Sequence, residues 1–311
     1  MAQTSIVNAL TIDVEDYFQV SAFAPHIARS TWDARECRIE RNVSRILEML
    51  AAKQTKATFF TLGWIAERYP ALVRSIVLEG HELASHGYGH ERASDLTEQA
   101  FFDDIQRAKS ILEDLGGVEV QGYRAPSFSI GEGNLWAFDG LLRAGYRYSS
   151  SIYPIRHDHY GMPNSPRHSY QVRPGLLEVP ITTLRLFDRN LPSSGGGYFR
   201  LLPYAVSRWM LGRVNAGEQQ PGIFYFHPWE IDPGQPRIPG ISSKTRFRHY
   251  VNIDRTEGRL NRLLGDFKWG RMDQIFLGKA QQHAPAMSAV AGTPPGCSKG
   301  RDTEVRSTAV I

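Results

Sequence analysis

Short apolar runs alternate with amphipathic stretches along most of the chain, the rhythm of βαβ units around a parallel sheet. Residues 6–12 (IVNALTI) read as a first strand that stops at Asp13. Ile39, Val43, Ile46, Leu47 and Leu50 recur at helical spacing, which predicts a helix over 39–53. ATFFTL (57–62), aromatic and β-branched, predicts a second strand. A helix over 70–79 starts on Pro70, suited to a first turn, and stops at Gly80. HELASH (81–86) follows as a third strand, and Thr97-Glu98-Gln99-Ala100 opens a helix that Gly116-Gly117 closes. Further strands are predicted over 121–126, 146–152, 176–179 and 223–227, with a helix over 134–144 ended by Gly145. Six or seven β units favour a closed or nearly closed (β/α) barrel over an open sheet.

The rhythm lapses in two places. Residues 153–175, rich in Pro, His and Gly, read as a long surface loop, and SSGGGYFR (193–200) reads as a flexible loop carrying aromatics. Helices are predicted over 203–216 and 256–267. From about Gly278 onward no apolar periodicity survives, and the segment reads as a disordered tail without chemistry. The expected organisation is a barrel over 1–230 with loop insertions about 153–175 and 188–220. An appended helical region over 231–277 and the tail over 278–311 complete it.

Composition narrows the classes. The 41% hydrophobic and 22% charged residues are those of a globular protein, and 311 residues bury a substantial core. The net charge of +4 comes without any stripe of Lys and Arg, so a nucleic-acid partner is not expected. Cys37 and Cys297 are the only cysteines, the second in the expected tail, which argues against a structural disulfide. The first residues lack a basic start followed by an apolar stretch, and no apolar run nears the ~18 residues that span a bilayer. No integral membrane segment and a cytoplasmic location are the resulting expectations.

Polar, chemically capable residues gather where apolar strands end, the position at which barrel loops converge. TIDVEDYF (11–18) carries Asp13, Glu15 and Asp16; strand alternation puts Asp13 and Glu15 on one side and Asp16 on the other, unless the strand has already turned. SHGYGH (85–90) sets His86 and His90 four residues apart, a spacing at which two imidazoles can meet one metal. Gly87 and Gly89 disfavour a helix there by ~1 kcal/mol each, so a loop is expected. FYFHPWE (224–230) ends a buried strand at His227, a general-acid candidate by its ordinary pKa of about 6.5. Arg124 in GYRAPSF (122–128) is placed to orient a carboxylate. Phe128, Tyr198 and Trp229 are candidate sugar-contacting aromatics. Each feature alone also suits a plain structural role: a solvated strand end, surface histidines, a satisfied core histidine, an ordinary ion pair.

Their order carries the reading further. TIDVED, SHGYGH, RAPSF, YSSSI and FHP resemble, in sequence, the five motifs of the NodB-homology polysaccharide deacetylases, carbohydrate esterase family 4. DVEDYFQVSAF, LGWIAERYP, ASHGYGH, GYRAPSFSI, GGGYFRLLPYA and FYFHPWEID further resemble the deacetylases found with exosortase (PEP-CTERM) exopolysaccharide loci, over about residues 8–269. The resemblance implies an α/β fold, a distorted (β/α)7 barrel with a small C-terminal extension. It implies metal-dependent hydrolysis of N-acetyl groups on a polysaccharide or its lipid-linked precursor, with a divalent metal, zinc by default, and association with exopolysaccharide synthesis machinery.

By position, the resemblance makes Asp13 the base, His227 the acid and Arg124 the residue that orients Asp13. His86 and His90 become metal ligands, with Glu15 the favoured third ligand and Asp16 the reserve. Two departures stand out. Ser149 occupies the place of an aspartate that supports the acidic histidine, so either Glu178 supplies that charge or His227 works with a lowered pKa. Ser127 replaces an aromatic, with Phe128 one place later. A metal-independent, allantoinase-like cyclic amide hydrolase and a non-catalytic glycan-binding protein are the alternatives.

Overall fold

Strand β1 (Val7–Val14) is buried from Asn8 onward on both faces, as a central strand of a parallel sheet must be. It lies at the heart of a computed structural model that describes residues 6–157 and 160–278. After β1 come α1 (Ile39–Ala52), β2 (Thr58–Thr61), α2 (Gly63–Arg68), α3 (Pro70–Leu78), β3 (Glu82–Ser85) and α4 (Glu98–Gly116). Next are β4 (Gly122–Tyr123), α5 (Ala137–Arg143), β5 (Tyr148–Ser149), β6 (Tyr170–Arg173), β7 (Leu176–Glu178) and the hairpin β8 (Thr183–Leu186)–β9 (Arg189–Pro192). The chain continues through α6 (Gly196–Leu201), α7 (Tyr204–Glu218), β10 (Ile223–Phe226), α8 (Ser243–Tyr250), α9 (Ile253–Asp266) and β11 (Lys268–Gly270).

Seven strands pair in parallel in the order β10-β1-β2-β3-β4-β5-β7. β6 adds antiparallel to β7, and β11 runs parallel to the start of β1. Among the described residues β7 and β10 share no ladder. Instead Thr182, just beyond β7, accepts a hydrogen bond from Ile223 N through its Oγ1 at 2.6 Å, bringing the two ends of the sheet together. The sheet is therefore a curled half-barrel of seven parallel strands, the distorted (β/α)7 form expected.

Helices α1, α3, α4, α5, α7 and α9 form where the sequence pattern put them. α1 buries Ile39, Val43, Ile46, Leu47 and Leu50 against the sheet, each contributing about 1.5–3 kcal/mol through burial. Thr97 caps α4 by accepting from Ala100 N, and Gly117 ends it in the left-handed region at φ 63°.

Several expectations need correction. SSGGGYFR is not a flexible loop, because α6 begins within it and Gly195 and Gly196 press against the site floor. β4 and β5 are two residues long, and just past them Arg124 Nη2 donates to Ser150 Oγ at 3.1 Å. The 153–175 stretch holds β6, and the 231–277 stretch includes a strand, β11, besides its helices. No helix among the described residues is long and apolar enough to cross a membrane. Beyond Gly278, the segment read as a disordered tail, with Cys297, lies outside the described residues.

Candidate active site

The carboxyl ends of β1, β3, β4 and β10 open into one cleft of about 1010 Å³ that Asp13, Glu15, His86, His90, Phe128, Tyr198, His227 and Trp229 all line. Asp13 is still within β1, whereas Glu15 follows it, and Glu15 N bonds back to Asp13 O at 2.9 Å. That local turn ends the alternation. It sends Asp16 away from the cleft, where its carboxylate accepts from Tyr17 N at 2.7 Å, Arg38 N at 2.5 Å and Cys37 Sγ at 3.2 Å. Asp16 is a structural cap, and the reserve ligand choice is withdrawn.

His86 directly follows β3, and the loop to His90 is set by Gly87 (φ 75°) and by His90 itself (φ 57°). Asp104 on α4 accepts from Tyr88 N at 3.0 Å and pins this loop. His86 Nδ1 lies 2.8 Å from Arg124 O, which fixes the ring and leaves Nε2 for the cleft. Glu15, His86 and His90 each offer a ligand atom within 4.8 Å of the others, all three buried. Glu15 Oε2 stands 2.6 Å from His90 Nε2 yet makes no aligned hydrogen bond, an orphaned buried oxygen among imidazoles. Burial pushes His86 down to about 4 against the pull of Asp13 and Glu15, so its imidazole is neutral at neutral pH. Burial would raise Glu15, but His90, His227 and His86 together hold its carboxyl well below the usual carboxylate range. One carboxylate and two neutral-capable imidazoles, one oxygen unsatisfied, fit a divalent metal.

Asp13 is held from behind. Arg124, fully buried, donates from Nη1 to Asp13 Oδ1 at 2.5 Å and to Thr11 Oγ1 at 2.8 Å, and from Nη2 to Ser150 Oγ at 3.1 Å. Its guanidinium stacks 4.1 Å above the Phe60 ring. Asp13 Oδ2 is left to the cleft, 3.9 Å from His227 Nε2. His227 Nε2 is also 3.5 Å from Glu15 Oε1.

His227 has an unexpected partner. Its Nδ1 lies 2.7 Å from Glu230 Oε1, which also accepts from His227 N at 3.1 Å. Arg200 Nε donates to Glu230 Oε2 at 2.7 Å, and Arg200 is why Glu230, against its burial, sits down at about 2. Burial disfavours charge on His227, but Glu15, Glu230 and Asp13 outweigh it and raise the imidazole to about 9. Both sequence alternatives for this residue are thus replaced. Glu178 instead accepts from Ser151 N and Ile152 N at 3.0 and 2.9 Å, and the pKa of His227 is raised rather than lowered. The missed signal was local: Pro228 starts a tight turn, and a Glu three residues after His227 reaches back to the turn's first residue.

Of the aromatics, Phe128 forms the cleft wall, edge-on to Tyr225 at 5.0 Å and Tyr160 at 5.8 Å. Ser127 and Phe128 both take positive φ, 55° and 50°, a costly backbone for residues other than Gly and one that recurs at functional sites. Trp229 stacks on His227 and His249, with centroids 5.2 and 4.1 Å away, and donates from Nε1 to Glu15 Oε1 at 3.3 Å. Its ring serves those residues instead of lying open to a sugar face, so its expected role is revised.

Residues 24–148, which include His86, His90 and Arg124, match the family described as polysaccharide deacetylase. Over this stretch the chain is similar to the polysaccharide deacetylases. Residues 150–277 match a domain of unknown function, DUF3473. A peptidoglycan-N-acetylglucosamine deacetylase of Bacillus cereus is 36% identical over 94 residues, 30% of this chain and 34% of that protein. A peptidoglycan deacetylase of Helicobacter pylori is 29% identical over 118 residues, 36% of this chain and 38% of that protein. The chain thus spans about a third of the length of these curated relatives. A crystal structure from Mycobacterium smegmatis, described as a candidate polysaccharide deacetylase, shares the fold with a TM-score of 0.58 at 20% identity, covering 96% of each chain.

Proposed function

We propose that this cleft removes N-acetyl groups from an amino sugar within a polysaccharide, or its lipid-linked precursor, during exopolysaccharide synthesis. The observation that carries the reading is the facing pair Asp13 Oδ2 and His227 Nε2, 3.9 Å apart beside the Glu15–His86–His90 group. Glu15, His86 and His90 would hold a divalent metal, zinc by preference of the donor set. When bound, that ion supplies acidification of water and polarisation of the acetyl carbonyl.

The rest falls to the chain's own side chains. Arg124 occupies Asp13 Oδ1, so Oδ2 is the oxygen free to take a proton from the attacking water. His227 Nε2 gives its proton to the departing nitrogen, and a raised pKa keeps that proton available at neutral pH. Phe128 and Tyr198 supply an aromatic wall on which a sugar ring can rest.

Asp13→Asn tests the assignment. It is expected to abolish acetate release while still binding one divalent ion per chain in a metal titration. Retained turnover would remove Asp13 from the base role. A wild-type chain that binds metal and glycan yet releases no acetate would favour the glycan-binding alternative.

A further inference from the structure

The acid side of the cleft is built by residues 150–277, the stretch matched to a domain of unknown function. Its chemistry centres on two fully buried charges, Arg200 and Glu230, at 2% and 0% exposure. A buried ion pair adds little net stability over apolar residues of the same shape, so packing alone does not account for it. Arg200 is locked by three backbone carbonyls: His249 O at 2.6 Å, Val251 O at 3.1 Å and Arg248 O at 3.2 Å. Its Nε holds Glu230 Oε2, and Glu230 Oε1 in turn faces both His227 N and Nδ1. Gly196 lies so close to Glu230 that any Cβ there would collide with both carboxylate oxygens. The imidazole is stacked on Trp229, and with Nδ1 engaged only Nε2 is turned toward Asp13 and Glu15.

We infer that Arg200 and Glu230 are positioning residues that present His227 Nε2–H to the leaving nitrogen, and that supplying this proton-donating half of the site is the function of region 150–277. The inference rests on the deacetylase reading. In the step concerned, water oxygen bonds to the acetyl carbon and one water proton passes to Asp13. The C–N bond then breaks with its electron pair remaining on nitrogen, which takes a proton from His227 Nε2. Acetic acid and a free amine result, and the Asp13 proton returns the pair to its starting state through solvent. Glu230 touches neither substrate nor reacting atoms. It acts through His227.

The test compares two acetyl donors on the full chain: N-acetylglucosamine oligomers, whose amine cannot leave unprotonated, and an aryl acetate, whose phenolate can. In Glu230→Gln, kcat on the amide should fall by about 10²-fold with KM nearly unchanged, the size of a general-acid contribution. Ester turnover should fall only a few-fold. The ratio of the two rates on one sample does not depend on how much of it is folded. If Glu230→Gln fails to fold, Glu230→Asp, which keeps the charge but withdraws it from Nδ1, takes its place in the same comparison. Equal losses on both substrates, or an unchanged amide rate, would overturn the inference while leaving the deacetylase reading intact. Should the wild type spare the ester, a loss shared between kcat and KM would overturn it. A wild type that releases acetate from neither substrate refutes the deacetylase reading itself.

Discussion

Two neighbouring glycines should respond to the same methyl group in opposite directions. At Gly196, a Cβ would sit well under 3.0 Å from the Glu230 carboxylate, whereas at Gly197 nothing lies within 4 Å. Glu230 cannot yield freely, since Arg200 Nε, His227 N and His227 Nδ1 hold it at 2.7, 3.1 and 2.7 Å. Gly196→Ala must therefore displace Glu230 or α6, and overpacking of this kind costs about 1–3 kcal/mol. Gly197→Ala instead places alanine in an open helical position of α6, where it should gain up to about 1 kcal/mol. Urea unfolding with a common m-value would read the difference, about 1–4 kcal/mol between the two variants, or about 2–4 °C of melting temperature for each kcal/mol. Acetate kinetics add a second axis. A carboxylate moved by about 1 Å misaligns His227, and misplacement of that size can cost about 10²-fold in kcat, whereas Gly197→Ala should turn over normally. Matching stabilities and matching rates for the two variants would refute the claim that Gly196 exists to admit Glu230.

Arg124→Met leaves Asp13 buried without its counter-charge and should destabilise the chain by about 3–5 kcal/mol, measured by chemical denaturation. Arg124→Lys should recover part of that stability but little activity, because a single ammonium cannot serve Asp13, Thr11 and Ser150 together. Burial raises Glu178 to about 7, only partly offset by the backbone N–H groups of Ser151 and Ile152 that donate to it. Its folded-state pKa thus lies above the unfolded value of 4.5, so its stabilising contribution is full below pH 4.5 and is lost as pH rises through 7. Glu178→Gln should accordingly be the more stable chain at pH 8, by of order 1–3 kcal/mol, and the advantage should vanish toward pH 4. Glu82, pushed up to about 7 by burial and by Asp273, leaves a residual slope of the same sign. A gain from Glu178→Gln that is independent of pH would contradict this assignment.

The fold was legible where a local pattern and a tertiary need coincide. Apolar runs that stop at Asp13, His86 and His227 mark strand ends, and strand ends in a curled parallel sheet must converge, so the site could be assembled from sequence alone. Part of what escaped depends on contacts far apart in the chain, and part on single local turns. The three-residue spacing of His227 and Glu230 was on view, but the counter-charge that fixes Glu230, Arg200, lies thirty positions earlier and meets it only in the fold. The Gly195–Gly196 pair looked like flexibility, but it is the absence of Cβ atoms that lets α6 approach Tyr225 and Glu230. The choice between Glu15 and Asp16 hinged on one turn at Glu15 N, which strand alternation cannot foresee. β11 is a three-residue strand whose register against Val7, Asn8 and Ala9 exists only once the sheet is built.

The central claim is that Glu15, His86 and His90 hold a metal that serves amide hydrolysis at Asp13 and His227. Acetate release from N-acetylglucosamine oligomers and from crude exopolysaccharide, measured before chelation, after it and after adding back divalent ions, tests it most directly. Acetate that vanishes with the chelator and returns with the ion is the expected result. Acetate release that a chelator leaves untouched, with the metal shown to be gone, would contradict it and favour metal-independent amide hydrolysis.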